Sequence, residues 1–282
     1  MNHVLTLRGQ TFAWGQKTYL MGILNVTPDS FSDGGQFNSL EAALCQAQHL
    51  VAVGADILDI GGQSTRPQAL EVNVDEEMGR VMPVIAALRS TLQVPISIDT
   101  TRSAVARAAI QAGADLVNDV SAGCSDPTML KTVAELQVPI VLMHSRGTPQ
   151  TMQQLTTYGN LIDEICEFLE ERIATAIANG IQPDHIILDP GIGFAKTYEQ
   201  NLDILRNLPR FRALGYPLLV GTSRKSFIGH LLNQPNAQER VWGTAATCCA
   251  AIAGSTDILR VHDVQAMHDV CRVADAIWRQ GG

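Results

Sequence analysis

What the sequence has little of narrows what it can be. Positive charge is scarce: 20 Lys and Arg stand against 28 Asp and Glu, giving a net charge of −8 and a pI of about 5.3. That balance argues against a nucleic-acid partner or an anionic membrane surface. Cysteine is sparse, with six residues at 45, 124, 166, 248, 249 and 271, and none forms a CxxC pair or a metal-binding spacing. This usage suits a reducing compartment, and Cys248-Cys249 reads as core filling on a helix. No apolar run reaches the ~18–20 residues that cross a bilayer. The first ten residues lack the apolar stretch of a signal peptide. A cytoplasmic protein without membrane segments is the expectation. No G-x-G-x-x-G follows the first strand-like run, and no G-x-x-x-x-G-K-[ST] occurs, which counts against an open nucleotide-binding sheet. No low-complexity linker divides the chain, so one domain over 1–282 is expected.

What is present is a large apolar fraction, 46%, cut into regular pieces. Short runs rich in Ile, Val and Leu occur at Tyr19–Leu24, Asp56–Ile60, Pro95–Ile98, Leu116–Val120, Pro139–Met143, His185–Leu188, Pro217–Val220 and Ile258–Val261. Continuous apolar character of this kind marks strands buried on both faces. Helical periodicity fills the gaps at Ala42–Val53, Val74–Leu92, Arg102–Gln111, Pro127–Leu136, Leu161–Ala178, Tyr198–Arg212, Ala237–Ala253 and Val264–Arg279. Asn38, Ser125 or Asp126, and Asp263 are the expected caps of their helices. Val53–Ile60 echoes Ala112–Asp119, and Leu-Gln-Val-Pro-Ile occurs at 92–96 and again at 136–140. Recurring strand-then-helix units predict parallel βα repeats, and eight of them match a (β/α)8 TIM barrel of ~250 residues. A doubly wound open sheet is the alternative. Residues 3–20 read as a β-hairpin closing the bottom of the barrel, its arms Val4–Leu7 and Lys17–Leu20.

In a parallel barrel the residues at the strand ends converge on one mouth. Here they are Asn25; Gly61 to Pro67; Asp99, Thr100 and Thr101; Asn118 and Asp119; His144, Ser145 and Arg146; Asp189; Ser223, Arg224 and Lys225; and Arg260, His262 and Asp263. The opposite ends carry Ala, Gly, Pro and a repeated Asp. Asn25, Thr65, Arg66, Lys225, Arg260 and His262 are donors suited to a phosphate or diphosphate. Asp99, Asn118 and Asp189 suit the N–H and ring-nitrogen edge of a heterocycle. Asn25 with diphosphate oxygens is a candidate Mg²⁺ shell. Each residue also has a plainer reading. Asp99 and Asp263 can cap helices, Asp189-Pro190-Gly191 can be only a turn, Asn118 can bond loop backbone, Lys225 can be solvated, and His144 and His262 can be structural. Trp14, Trp242 and Trp278 read as structural.

The order of motifs resembles the dihydropteroate synthases. The segments that carry the likeness are Leu24–Gly35, Asp59–Pro67, Ser97–Thr100, Asn118–Gly123, Met143–Pro149, Asp189–Lys196, Gly221–Phe227 and Arg260–Val264. They run from about residue 20 to the end of the chain. One departure is Gln63, where many members carry Glu. The resemblance implies an enzyme of folate biosynthesis. It would condense (7,8-dihydropterin-6-yl)methyl diphosphate with 4-aminobenzoate to give 7,8-dihydropteroate and diphosphate, with Mg²⁺, as a homodimer open to sulfonamides. It implies that Asp99, Asn118, Asp189 and Lys225 hold the pterin, that Asn25, Thr65, Arg260 and His262 meet the diphosphate, and that Val261 is also among the substrate-binding residues. Asn25 would also meet the metal. Phe31, Arg66, Pro67, Lys225 and Ser226 would shape the aminobenzoate pocket. Two alternatives remain: a folate–corrinoid methyltransferase on the same barrel, and a catalytically silent pterin-binding paralogue.

Overall fold

In a computed structural model, residues 4–27, 36–64 and 72–279 are described. The chain opens with β1 (Val4–Leu7) and β2 (Gln10–Ala13), paired antiparallel from Val4↔Ala13 to Leu7↔Gln10. The hairpin is tighter than the sequence suggested. Arg8 and Gly9 both take positive φ, 49° and 77°, the handedness that a two-residue turn needs to follow strand twist. The second arm is therefore Gln10–Ala13, and Tyr19 and Leu20 belong to the next strand.

Eight parallel strands form the body: β3 (Tyr19–Asn25), β4 (Ile57–Gly61), β5 (Ile96–Asp99), β6 (Leu116–Asp119), β7 (Ile140–Met143), β8 (Ile186–Asp189), β9 (Leu219–Val220) and β10 (Ile258–Val261). Their order is β8-β7-β6-β5-β4-β3-β10-β9, and a parallel bridge between Leu188 and Leu218 closes the ring. Side chains alternate along each strand. Leu20, Leu58, Ile98, Val117, Leu142, Leu188, Val220 and Leu259 face outward into a core shared with the helices. Met21, Ile57, Leu116, Val141, Ile187, Leu219 and Ile258 face inward and meet Leu5, Leu7 and Phe12 of the hairpin. The hairpin thus plugs the floor of the barrel, as the sequence suggested. Trp14 packs there, 5.7 Å from Phe12 and 5.6 Å from Tyr19 between ring centres.

The helices are α1 (Gln36–Ala52), α2 (Val74–Thr91), α3 (Ser103–Ala112), α4 (Met129–Leu136), α5 (Leu161–Ala178), α6 (Tyr198–Arg206), α7 (Leu208–Arg212), α8 (Ser226–Leu231), α9 (Val241–Ala253) and α10 (Val264–Trp278). Where they depart from expectation, local chemistry explains it. The single helix read over Tyr198–Arg212 breaks at Asn207, just before Leu208-Pro209, because Pro209 has no N–H to continue the ladder. Helix α1 starts at Gln36, so Asn38 lies inside it instead of capping it. Asp126 does serve the start of α4, accepting from the Thr128 N–H at 2.9 Å, and also takes the Ser103 N–H of α3 at 2.8 Å. Asp263 does stand at the N-cap position of α10, its carbonyl accepting from the Met267 N–H at 3.0 Å, but its side chain caps no amide; the carboxylate is held by the Arg224 guanidinium at 2.9 and 2.5 Å.

The repeated aspartate at the strand starts has a common task. Asp56 accepts from the Leu20 N–H at 2.8 Å, Asp115 from Ile96 at 2.8 Å, and Asp257 from Leu218 at 2.9 Å. Each satisfies an amide at the start of the preceding strand, where the ladder has not yet begun. Asp275 of α10 does the same for Thr18, accepting from its N–H and hydroxyl at 2.7 Å each.

Candidate active site

The alternation that builds the core also builds the site. One step above the apolar floor, the inward positions are Asp59 and Ser97, which face each other across the β4–β5 register, and Arg260. Asn118 and Asp189, two residues beyond Leu116 and Ile187, stand one step above the floor in their own strands, and Asn25, Asp99 and His262 lie further towards the mouth. These five line a cavity of about 300 Å³ at the C-terminal mouth, with Ser223, Lys225, Ser226 and Arg260. Asn25, Asp99, Asn118, Asp189 and Arg260, expected just past the strands, are in fact inward residues of the strands themselves. A rigid sheet therefore sets their depth.

Asp59 is the centre of the charge network and is fully buried. Its Oδ2 accepts from Arg260 Nε at 2.5 Å and from Asn118 Nδ2 at 3.1 Å. Arg260 Nη2 donates to Asp99 Oδ2 at 2.7 Å. Burial works against the guanidinium charge, but the two carboxylates outweigh it and hold Arg260 more firmly protonated than usual. Asp99 is pushed up to about 7: burial raises it, Arg260 pulls it down, and Asp59 beside it raises it again. Asp99 Oδ1 and Asp59 Oδ1 are buried and have no partner among the described residues. Asp99 thus retains an acceptor for a donor brought by a ligand. Asn118 bonds a carboxylate and not the loop backbone, and Asp99 caps no helix; the amide it might have capped, that of Ser103, goes to Asp126.

Asp189 combines two of its readings. One oxygen accepts from the Gly191 N–H at 2.7 Å, as a turn aspartate would. The residue also lines the cavity, and burial pushes its carboxyl up against the pull of Lys225. Lys225 is not a solvated surface lysine. Its ammonium donates to the Ile192 carbonyl and lies 5.1 Å over the Phe194 ring. Burial lowers it to about 8, with Asp189 opposing. His262 Nδ1 lies 3.0 Å from Ser223 Oγ, which also accepts from the His262 N–H at 3.1 Å.

Two placements differ from what the motifs implied. Val261 turns its side chain outward into the helical core, so only its backbone is available to a ligand. Arg260 is tied to two carboxylates, where a freely offered phosphate donor was expected. Trp242 and Trp278, read as structural, are 79% and 49% exposed. Phe31, Thr65, Arg66 and Pro67 lie outside the described residues. Strand ends alone do not reveal the buried Asp59 and Ser97 or the cavity wall of Ile23, Met143, Met152 and Phe194. Asp59 was detectable by parity, two residues before Gly61 in its own strand. Met152 opens a short 3-10 turn and Phe194 sits in a loop, and neither carries such a signal.

A closed parallel barrel with carboxylates, amides and cations gathered at its C-terminal mouth is that of an enzyme acting on a small polar molecule. The family model described as pterin binding enzyme matches residues 21–262. The dihydropteroate synthase of Synechocystis sp. is 61% identical over 272 residues, covering 96% of this chain and 94% of that one. The structure of Clostridium difficile dihydropteroate synthase in the presence of pteroic acid superposes with a TM-score of 0.91 at 44% identity, over 95% of this chain and 100% of the other. That of Xanthomonas albilineans dihydropteroate synthase with 4-aminobenzoic acid gives 0.92 at 42% identity, over 98% of each. The chain belongs to the pterin-binding enzymes and, within them, to the dihydropteroate synthases.

Proposed function

We propose that this chain condenses (7,8-dihydropterin-6-yl)methyl diphosphate with 4-aminobenzoate, releasing diphosphate and 7,8-dihydropteroate. The observation that carries the reading is the convergence of Asp99, Asn118, Asp189 and Lys225 in one cavity with Arg260 and His262. The carboxylates and the Asn118 carbonyl accept from the amino and N–H edge of the pterin, and Lys225 donates to an acceptor on the ring. The methylene–oxygen bond breaks and its electron pair leaves with diphosphate. The amine lone pair of aminobenzoate then forms the new C–N bond, and the anilinium proton is lost to solvent. Asp99 and Asp59 offset positive charge developing on the pterin side. His262 and Arg260, whose Nη1 has no partner among the described residues, face the leaving group.

The donor set fits a magnesium ion that arrives on the diphosphate. Asn25 lines the mouth, and its Oδ1 lies 3.8 Å from where a Gly61 Cβ would stand, so a single neutral oxygen is presented. Most ligands of a hard cation would then come from diphosphate and water. When bound, the ion neutralises charge on the leaving group. Aryl sulfonamides, which share the shape of 4-aminobenzoate, compete for its place. Helices α9 and α10 expose Trp242, Val273, Ile277 and Trp278, an apolar face suited to a second copy of the chain. None of the helices among the described residues is long and apolar enough to cross a membrane. The free thiols suit the reducing cytoplasm.

The test is product formation from the two substrates with Mg²⁺, its inhibition by a sulfonamide relieved by 4-aminobenzoate, and sedimentation of the protein. Pterin binding without product would reject the synthase reading in favour of a silent paralogue. A monomer at micromolar concentration would reject the dimer.

A further inference from the structure

The chain has four lysines. Lys17 and Lys131 are exposed, and Lys225 faces the cavity. Lys196 is 2% exposed and does not line the cavity. Burying an amine is far more costly than burying an apolar chain of the same length, so its position calls for a reason. Its Nζ lies 2.9 Å from His144 Nδ1 and 2.8 Å from the Phe194 carbonyl. These two acceptors match the two N–H groups of a neutral amine. Burial drives both partners towards neutrality, taking Lys196 well below the ordinary lysine range and His144 to about 2.

His144 is a firm anchor. It directly follows β7, its N–H donates to the Asp189 carbonyl at 3.0 Å, and its ring stands edge-on to Phe168 at 4.9 Å. The other end of the tie lies in the loop after β8, where Gly191, Gly193 and Ala195 all take positive φ. The loop passes so close to β7 that a Cβ at Gly191 would fall 1.8 Å from the His144 carbonyl oxygen. Lys225, which comes after β9, lies against this loop. Its ammonium donates to the Ile192 carbonyl and lies over the Phe194 ring, and a Cβ on Gly193 would stand 3.0 Å from its Cδ.

We propose that Lys196 is a positioning residue for Lys225: by fastening the Phe194 carbonyl to His144 it fixes the Ile192 carbonyl and Phe194 ring that aim the Lys225 ammonium into the cavity. This rests on the assignment of Lys225 to the pterin. The test is Lys196→Met, which keeps the length of the chain and removes both donors. Two quantities are read: the dissociation constant of pterin-6-carboxylate by calorimetry, and the titration midpoint of Lys225 from NMR of protein labelled at lysine Cε. Weakening of roughly tenfold to a hundredfold is expected, on the scale by which small misplacements reduce binding and rate. The Lys225 midpoint should rise from about 8 towards the ordinary lysine value as the ammonium gains water. An unchanged dissociation constant and midpoint, whatever the melting temperature, would overturn the proposal. Should Lys196→Met fail to fold, His144→Phe keeps the ring packing, removes the acceptor and is read the same way. Lys225→Met runs alongside. Parental affinity there would defeat the assignment of Lys225, whereas weakening there but not in Lys196→Met would defeat only the role of Lys196.

Discussion

At the end of β5, Asp99 gives one oxygen to Arg260 and keeps the other buried, with no partner among the described residues. Its carboxyl is raised to about 7, against an ordinary value of about 4. Between those values the folded protein keeps a proton that the unfolded chain has released. The stability this supplies is complete below about pH 4 and is lost as pH rises to about 7. Asp99→Asn keeps the shape and cannot ionise. Its stability relative to the parent should therefore improve with rising pH, at up to about 1.4 kcal/mol per unit in that window. Urea midpoints of both proteins at pH 5 and pH 8 measure this, and parallel pH profiles would contradict it. Residues of this kind were legible in the sequence. Asn25, Asp99 and Asp189 each directly follow an apolar run and Asn118 interrupts one, all towards the same end of successive strands; a cap or a turn accounts for one such residue but not for their convergence. Asp59 was harder, because it sits within such a run and its meaning depends on which face it takes. The pair His144 and Lys196, 52 residues apart, was not legible, since no spacing rule brings such residues together.

At the scale of elements, the strands were read well because a strand buried on both faces leaves an unbroken apolar run. Helix ends were read less well, because a cap depends on one side chain reaching one amide, and other groups compete for that side chain. Asp263 is taken by Arg224, and Asp126 serves two helices at once. The aspartates at the strand starts were visible as a repeat but without a task. Asp257 accepts from the Leu218 and Gly15 N–H groups at 2.9 Å each, tying the floor hairpin to β9. Asp257→Ala leaves both amides unanswered. It should lower stability by about 2–3 kcal/mol, the usual cost of stranding buried donors of a charged acceptor. The measurement is a urea midpoint, with pterin affinity, governed by the opposite end of the barrel, expected to stay at the parental value. A loss of affinity as large as the loss of stability would show that the two ends are not independent.

Over the whole molecule, the two ends divide their work. At the floor Asp56, Asp115 and Asp257 each satisfy a backbone amide near a strand start, whereas at the mouth Asp59 and Asp99 are held against Arg260. The ends of the barrel wall are stitched well away from the mouth: Asp275 and Arg279 near the end of the chain bond Thr18 at the start of β3. The ring is least continuous elsewhere. Where β3 and β4 share five register pairs, β8 and β9 meet through the single bridge at Leu188 and Leu218, and β9 has two residues. Asp189 stands on one side of that gap and Lys225 follows β9 on the other. A pterin that engages both would act as a rivet across a split in the cylinder. In the free protein the amides of Leu188, Leu219 and Val220 should exchange with solvent faster than those of β4, and bound pterin should slow them beyond its effect on the rest of the sheet. Uniform protection around the ring would argue against it. On this view substrate binding completes the mechanical closure of the barrel, and an enzyme starved of pterin is a cylinder with one loose stave.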